Sequence, residues 1–277
     1  MEKELLEIRK KIFLTGNSAS IAHIASAFSI VEILYALYDK KILKYHAQNP
    51  NWEERDLFIL SKGHGSLALY TMLCREGFFS EEILRSFSKP GSYLGGEPCV
   101  PHIPGVEAST GSLGHGLSIG VGMALAKKID GKTNKVYVLL GDGECQEGTV
   151  WEAVMFAAQN NLDNLVAIID SNKLQKMDTL ENVMGIKSWK DTLLSFHWQV
   201  EEVDGHNVEE IEKALTKPNN SGKPLAIIAN TVKGKGVSIV ENNPKWHWKL
   251  PNKKETKIFM KELSISEEEI EACKKPM

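Results

Sequence analysis

Residues 135–172 read KVYVLLGDGECQEGTVWEAVMFAAQNNLDNLVAIIDSN. Two apolar runs, 136–140 and 165–169, have the length and β-branched content of buried strands, and the segment from Thr149 to Asn160 between them has helical spacing. A strand, a helix and a second strand in this order form a right-handed unit with parallel strands. The stretch therefore predicts an α/β fold with a doubly wound, mostly parallel sheet and helices on both faces.

The same alternation continues on both sides of this unit. Upstream, Asp56 to Leu60 predicts a short strand, and Leu67 to Arg75 predicts the helix that follows it. Downstream, the pattern predicts a strand at 198–203, a helix at 208–216 and a strand at 225–231. One doubly wound domain accounts for all of these elements.

The two ends of the chain are predicted to be helical. Helical spacing from Glu2 to about Leu14 predicts a helix that ends at the TGNS of residues 15–18, and residues 29–38 predict another. Near the carboxyl end, Ser266 precedes a charged segment that it can cap as a helix. We expect a domain over residues 1–250 and a charged, helical extension over residues 251–277.

Composition excludes several classes of protein. The 277 residues include 33 Lys and Arg against 36 Asp and Glu, so no net positive field favours nucleic acid or an anionic membrane. The four cysteines are scattered, without a CxxC pair, which argues against a disulfide framework and a structural zinc site. No membrane-spanning apolar run and no apolar leader are visible, so a cytoplasmic protein is expected.

Polar side chains follow the two central strands. Asp142 lies within the GDG at 141–143, and Asn172 follows the next strand. The carboxyl ends of parallel strands share one sheet edge, where such folds bind ligands. Carboxylate and amide oxygens suit Mg²⁺ or Ca²⁺, and a diphosphate supplies further oxygens. Gly143 allows close approach of the backbone. A GDG without Asn172 would be only a strand-to-helix turn; the pair predicts a metal–diphosphate site.

The long segment from Gly91 to Gly122 is rich in glycine and proline. A loop of this length inside a compact domain is usually functional, so we interpret it as facing a ligand. A helix is expected to follow at about 117–128.

The spacing from GDG to Asn172 resembles the thiamine-diphosphate motif, and GDGECQEGTVWEA and DSNKLQ are similar to transketolase in particular. The resemblance implies thiamine diphosphate and Mg²⁺ as cofactors, with Ca²⁺ or Mn²⁺ as possible substitutes. It implies that Asp142 and Asn172 bind the metal through their side chains and that Leu174 adds its backbone carbonyl. It also implies that Glu147 lies at the interface between the two halves of the active site.

Three of the eight histidines lie in segments that resemble this family. His64, in SKGHGS, matches a His that contacts the cofactor diphosphate, and His23, in NSASIAHIASAFS, matches one that handles the substrate. His247, in ENNPKWHWKLP, matches a late His of split transketolases, although Trp248 stands where Gly usually follows. A single loop histidine is more often a solvated surface residue, but three in matching segments favour roles in catalysis and binding.

The segment PGVEASTGSLGHGLSIGVGMA resembles the family loop that packs beside the thiazolium. This resemblance implies that Gly111 and Leu113 contact the cofactor. His115 stands where Gln is usual, and we interpret it as a variable residue at a helix start.

The chain departs from the family pattern at Glu97. The family has GHP, with a His that faces the donor's reacting carbons, whereas this chain reads Gly96-Glu97-Pro98. An ionised carboxylate only accepts hydrogen bonds, whereas a neutral imidazole also donates. Two hypotheses follow: Glu97 reshapes the sugar end of the pocket, or His102 replaces the lost imidazole.

The resemblance covers about residues 5–250 and corresponds to an amino-terminal domain. In this family, the carboxylate that activates the cofactor lies on a pyrimidine-binding domain, which no part of this sequence resembles. The resemblance therefore implies a separate pyrimidine-domain partner subunit, an α₂β₂ heterotetramer, and transfer of a two-carbon ketol unit from a ketose phosphate to an aldose.

Two alternatives stay open at this point. The first is a different thiamine enzyme, such as a deoxyxylulose-phosphate synthase or a 2-oxoacid dehydrogenase α subunit, because these share the GDG and Asn site. The paired SKGH and STGSLGHG segments favour transketolase. The second is a non-catalytic scaffold paralogue, for which Glu97 is the only support.

Overall fold

The apolar runs form one five-stranded sheet in the computed structural model, which describes residues 1–20, 23–219 and 221–274. The strands are β1 (Leu57–Leu60), β2 (Val136–Gly141), β3 (Leu165–Ser171), β4 (Gln199–Asp204) and β5 (Leu225–Asn230). Their order in the sheet is β1-β2-β3-β5-β4, and every pair is parallel. The predicted parallel sheet is therefore confirmed. Gly141 pairs with Asp170, so the ends of β2 and β3 lie side by side.

Helices connect and cover the strands. They are α1 (Glu2–Ala19), α2 (Ile24–Phe28), α3 (Val31–Tyr38), α4 (Ser66–Arg75), α5 (Glu81–Arg85), α6 (His115–Ile129), α7 (Gly148–Gln159), α8 (Leu180–Met184), α9 (Trp189–Ser195), α10 (Val208–Thr216), α11 (Lys253–Glu262) and α12 (Glu267–Lys274). None of the helices in the described ranges is long and apolar enough to cross a membrane.

The two faces of the sheet bury separate apolar cores. Alternate strand residues point to opposite faces, so Tyr137 and Leu139 join the core under α1, α3 and α4, whereas Val138 and Leu140 join the core under α6 and α7. All six residues of β2 are buried, as expected for a strand covered on both sides. The predicted covering of both faces is confirmed.

The prediction that α1 ends at the TGNS of residues 15–18 is wrong. The helix continues through these residues to Ala19, and Ser20 then adopts a left-handed conformation with φ 55°. Gly16 costs a helix interior about 1 kcal/mol. Thr15 and Gly16 are buried, however, and packing of this face against the domain outweighs the weak intrinsic propensity.

The segment after residue 250 consists largely of α11 and α12. The ring of Phe259 stacks on that of Phe13 in α1, with centroids 4.5 Å apart, and Leu263 is fully buried. Ser266 Oγ accepts a hydrogen bond from Glu269 N at 3.2 Å at the start of α12. The division of the chain near residue 250 stays a prediction.

Candidate functional site

The carboxylate of Asp142 is buried at the end of β2, with 2% of the residue exposed. Its Oδ1 accepts from Gly143 N at 2.7 Å, and its Oδ2 accepts from Lys173 N at 2.5 Å. Burial, with the nearby charge of Asp170, raises the pKa of Asp142 to about 6, although these amide donors and Lys62 oppose the rise. A cation beside this carboxylate would relieve the cost of its buried charge.

Asn172 directly follows β3, the strand that pairs with β2. The Asn172 amide donates from Nδ2 to Asp170 Oδ2 at 2.9 Å, and its Oδ1 accepts from Leu174 N at 3.1 Å. The backbone carbonyl of Leu174 accepts from Lys233 Nζ at 3.3 Å. Oxygen atoms of Asp142, Asn172 and Leu174 therefore lie at one sheet edge.

These residues line a cavity of about 320 Å³. It also contains most of the side chains that the sequence singles out; the predicted residues that line it are His23, His64, Glu97, Gly111, Leu113, Asp142, Gly143, Asn172, Leu174 and His247. Glu147 and His102 are exposed and do not line it. Glu147 lies at the start of α7, next to Gly114. The structure thus brings ten of the predicted residues together, from loops more than 200 residues apart in the chain.

Three imidazoles cluster in this cavity. The ring centroids of His23, His64 and His247 lie 5.3 to 5.8 Å from one another. Burial, with the neighbouring Lys233 ammonium, lowers the pKa of His23 to about 4 and that of His247 to about 3. Burial, with Lys62, also lowers the pKa of His64 well below its ordinary value. All three rings are therefore neutral at pH 7, and each can donate one hydrogen bond and accept another.

Lysines that the sequence analysis did not single out lie beside the imidazoles. Lys62 and Lys233 are buried, and Lys176 also lines the cavity. Burial, with the charge of Lys62, lowers the pKa of Lys233 to about 8. Lys62, in SKGH, and Lys233, in KGKG, each follow a predicted strand within two residues and directly precede a glycine. That position was the signal that could have identified them.

Lys62 is neutralised by a fully buried Asp170. Its Nζ donates to Asp170 Oδ2 and to Ser26 O, the latter at 3.2 Å. Asp170 also accepts from Ser29 Oγ at 2.8 Å and from Thr231 Oγ1. Burial alone would raise the pKa of Asp170, but Lys62 and the hydroxyl donors lower it overall. Asp170 therefore carries a negative charge that fixes Lys62 beneath the cavity.

Glu144 is a second buried acid that the sequence analysis missed. Its carboxylate accepts from Gly114 N at 3.0 Å, from Gly141 N at 2.9 Å and from Ser61 Oγ. Burial raises its pKa, although these donors oppose the rise. Glu144 thus ties the glycine-rich loop to the end of β2. Of the two glutamates in GDGECQEG, the sequence pointed only to Glu147, because backbone partners such as those of Glu144 cannot be deduced from a motif.

Comparisons with known proteins identify the family. Residues 8–272 match the family model described as transketolase, thiamine diphosphate binding domain. The chain is 41% identical to an apulose-4-phosphate transketolase subunit from Phocaeicola vulgatus, over 98% of both chains. It is 40% identical to the 6-deoxy-6-sulfo-D-fructose transketolase subunit SqwG of a Clostridium species, over 84% of this chain and 85% of that protein.

Longer transketolases match only in part. The human transketolase is 41% identical over 84% of this chain but 37% of its own length. The crystal structure of transketolase from Campylobacter jejuni superposes with a TM-score of 0.87 at 30% identity, over 99% of this chain and 46% of that chain. The chain thus spans less than half of these longer proteins and most of each of the two relatives named before them. It belongs to the transketolase family, as a thiamine-diphosphate-binding amino-terminal subunit of the split type.

Proposed function

We propose that this chain, together with a separate pyrimidine-domain subunit, moves a two-carbon ketol unit from a ketose phosphate to an aldose, with Mg²⁺ as the metal. One observation carries the proposal. The oxygen donors of Asp142, Asn172 and Leu174 and the neutral imidazoles of His23 and His64 line one cavity at the carboxyl edge of the sheet. Both a metal–diphosphate and a sugar have suitable partners there.

The residues at the strand ends fit the diphosphate and its metal. The oxygens of Asp142, Asn172 and Leu174 are hard donors of the kind that Mg²⁺ prefers. The described residues contain no cluster of three His, Cys, Asp or Glu that would hold an ion without further ligands. Gln175 lines the cavity, and its buried Nε2 has no hydrogen-bond partner in the described part of the chain. A phosphate oxygen would satisfy this donor.

Lys233 and Lys176 line the cavity and provide positive charge for the diphosphate. When bound, thiamine diphosphate supplies the carbon nucleophile and the electron sink that ketol transfer requires. We propose that Asp142, Asn172 and Leu174 hold the metal and that His64 contacts the diphosphate. Gly111 and Leu113 shape the wall beside the cofactor.

The imidazoles are suited to moving protons on the sugar. Lys233 Nζ lies 3.0 Å from His247 Nδ1 and donates to it, so the neutral ring carries its proton on Nε2. His247 thereby presents a donor from Nε2. His23, also neutral, contacts His247 edge to face at 5.3 Å. We propose that these two rings bind hydroxyl groups of the donor and exchange protons with them.

The partner protein is part of the proposal. The relatives that match this chain over most of their length are each named as one subunit of a transketolase. Glu147 is exposed at the start of α7, where it is free to contact another subunit. We propose that the pyrimidine-domain subunit supplies the missing cofactor contacts, in an α₂β₂ assembly located in the cytoplasm.

Cofactor binding tests the assignment of the metal ligands. We expect isothermal titration of thiamine diphosphate into the co-purified complex to require Mg²⁺, and Asp142→Ala to weaken binding by at least about 100-fold. Asp130→Ala is the control, because Asp130 is an exposed acid at the far end of α6. Full affinity in the Asp142→Ala complex would remove the proposed metal site.

A further inference from the structure

Glu97 and Trp248 are two of the positions at which the chain departs from the family pattern, and both line the same small cavity. This cavity has a volume of about 70 Å³ and also contains His23 and His64. His23, His64 and Glu97 line the larger cavity as well. Glu97 therefore lies at the junction of the two spaces. A volume of about 70 Å³ accommodates roughly two water-sized groups, such as a hydroxymethyl unit.

The two cavities differ in charge. Three lysines, Lys62, Lys176 and Lys233, line the larger one, together with the acidic residues Glu97, Asp142 and Glu144. Within the described part of the chain, the small cavity is lined by one acidic side chain, Glu97, and by no lysine or arginine. An anionic group is attracted toward the lysines and repelled by Glu97. The small cavity is thus a poor site for phosphate or carboxylate.

The carboxylate of Glu97 is available for a ligand. Among the described residues, none donates a hydrogen bond to it or forms an ion pair with it. Since an ionised carboxylate only accepts hydrogen bonds, its partner must be a donor. Sugar hydroxyl groups are donors of this kind, and they carry no charge.

Trp248 forms an aromatic wall of the small cavity. The centroids of its ring and the ring of His23 are 4.3 Å apart, and the planes are nearly perpendicular at 78°. The residue nevertheless remains 60% exposed, so much of the indole is open to a ligand. Glycine at this position would leave no ring to contact the apolar C–H groups of a sugar.

We propose that Glu97 and Trp248 form a specificity subsite for an uncharged, hydroxylated part of the sugar substrate. Glu97 accepts hydrogen bonds from sugar hydroxyl groups and repels anions, and Trp248 packs against the carbon chain. This inference rests on the proposed function, because it assigns the substrate class of the same site. The phosphate of a ketose phosphate lies away from this subsite.

Two matched ligands test the subsite without turnover. D-Arabinitol and D-arabinonate share a carbon chain, but the second has a carboxylate in place of a hydroxymethyl group. Quenching of tryptophan fluorescence measures their binding to the chain as purified with its partner. The wild type should prefer arabinitol, and Glu97→Gln should reduce that preference by at least about fivefold. Glu53→Gln is the control, because Glu53 is an exposed acid before β1, at the opposite edge of the sheet.

Donor kinetics give a second readout. In 3-hydroxypyruvate, a carboxylate is attached to the two-carbon unit, whereas D-fructose 6-phosphate carries its charge at the far end. Glu97→Gln should raise kcat/KM for 3-hydroxypyruvate relative to fructose 6-phosphate by at least about fivefold. Trp248→Gly should raise KM for the hexose about tenfold, with little change for the three-carbon donor, and Trp248→Phe should restore most of the loss.

The outcomes separate the two proposals. If no donor supports transfer, the proposed function fails, and the arabinitol-to-arabinonate ratio still tests the subsite. The subsite is overturned if Glu97→Gln and Trp248→Gly change neither the arabinitol-to-arabinonate binding ratio nor the ratio of kcat/KM for the two donors. Both variant complexes must bind thiamine diphosphate normally for this comparison.

Discussion

The Asn172 side chain donates from Nδ2 to Asp170 Oδ2 at 2.9 Å, two residues back along the same chain. This hydrogen bond fixes the orientation of the amide, so that its Oδ1 accepts from Leu174 N. Because Asp170 also accepts from buried Lys62, one carboxylate orients a proposed metal ligand and neutralises a cavity lysine.

The first prediction concerns Asp170→Asn. This substitution leaves Lys62 as a buried cation without its counter-charge, and breaking a buried ion pair in this way costs about 3–5 kcal/mol. We expect urea denaturation to show a loss of stability of this size, together with weaker binding of Mg²⁺. Asp163→Asn is a matched control, since the ion pair of Asp163 with Lys128 is exposed and contributes at most about 1 kcal/mol. Equal losses in the two variants would contradict the role of Asp170.

The second prediction concerns Glu32, which anchors the loop that carries Lys233. Buried Glu32 accepts two hydrogen bonds from Arg9, at 2.7 and 2.8 Å, and lies 3.0 Å from His206 Nδ1. His206 Nε2 accepts from Val232 N at 2.8 Å, so the ring donates to Glu32 from Nδ1. Glu32→Gln should destabilise the protein by about 3–5 kcal/mol at pH 7.

The pH dependence of this effect follows from the pKa of Glu32. Burial alone would raise it, but His206 and Arg9 lower it below its ordinary value of 4.5. A lowered carboxylate pKa contributes stability that is fully present above about pH 4.5 and is lost as pH falls through the folded-state pKa. Urea unfolding should therefore show the difference between wild type and Glu32→Gln narrowing below pH 4.5. Glu201→Gln, in a more exposed ion pair with Lys217, should show little difference at any pH.

The third prediction compares two glycines. A Cβ atom at Gly63 would lie 2.2 Å from the carbonyl oxygen of Thr110, so Gly63→Ala must displace backbone beside His64. We expect lower stability and weaker binding of thiamine diphosphate. A Cβ atom at Gly122, within α6, meets nothing within 4 Å, and Gly122→Ala should stabilise the protein by about 0.5–1 kcal/mol. The midpoints of thermal unfolding of the two variants are compared with that of the wild type. A Gly63→Ala variant that is more stable than the wild type would contradict the close packing of Gly63 against Thr110.

The parallel strand–helix–strand unit and many of the residues that line the cavity could be predicted from the sequence, because both depend on local patterns. Buried strands appear as short apolar runs, and in parallel strands the residues that follow each run meet at one sheet edge. Asp142 and Asn172 could be placed together for that reason. His23, His64 and His247 could be placed through segments that resemble a family.

Interactions between distant residues could not be predicted in the same way. The pairing of Lys62 with Asp170 joins residues 108 positions apart, and nothing in either local pattern indicates that both side chains are buried. The carboxylate of Glu144 was missed because its partners include the backbone amide of Gly114, in a distant loop. His102 is exposed and does not line the cavity. The sequence could not show this, because the path of a long loop has no local pattern.

The proposed two-subunit transketolase is tested by measuring ketol transfer from xylulose 5-phosphate to ribose 5-phosphate. The assay contains this chain, its partner protein, thiamine diphosphate and Mg²⁺, and each of the four is omitted in turn. We expect activity only when all four are present, and we expect the Asp142→Ala variant to lose it. Transfer by this chain without the partner, or undiminished transfer by the Asp142→Ala complex, would contradict it.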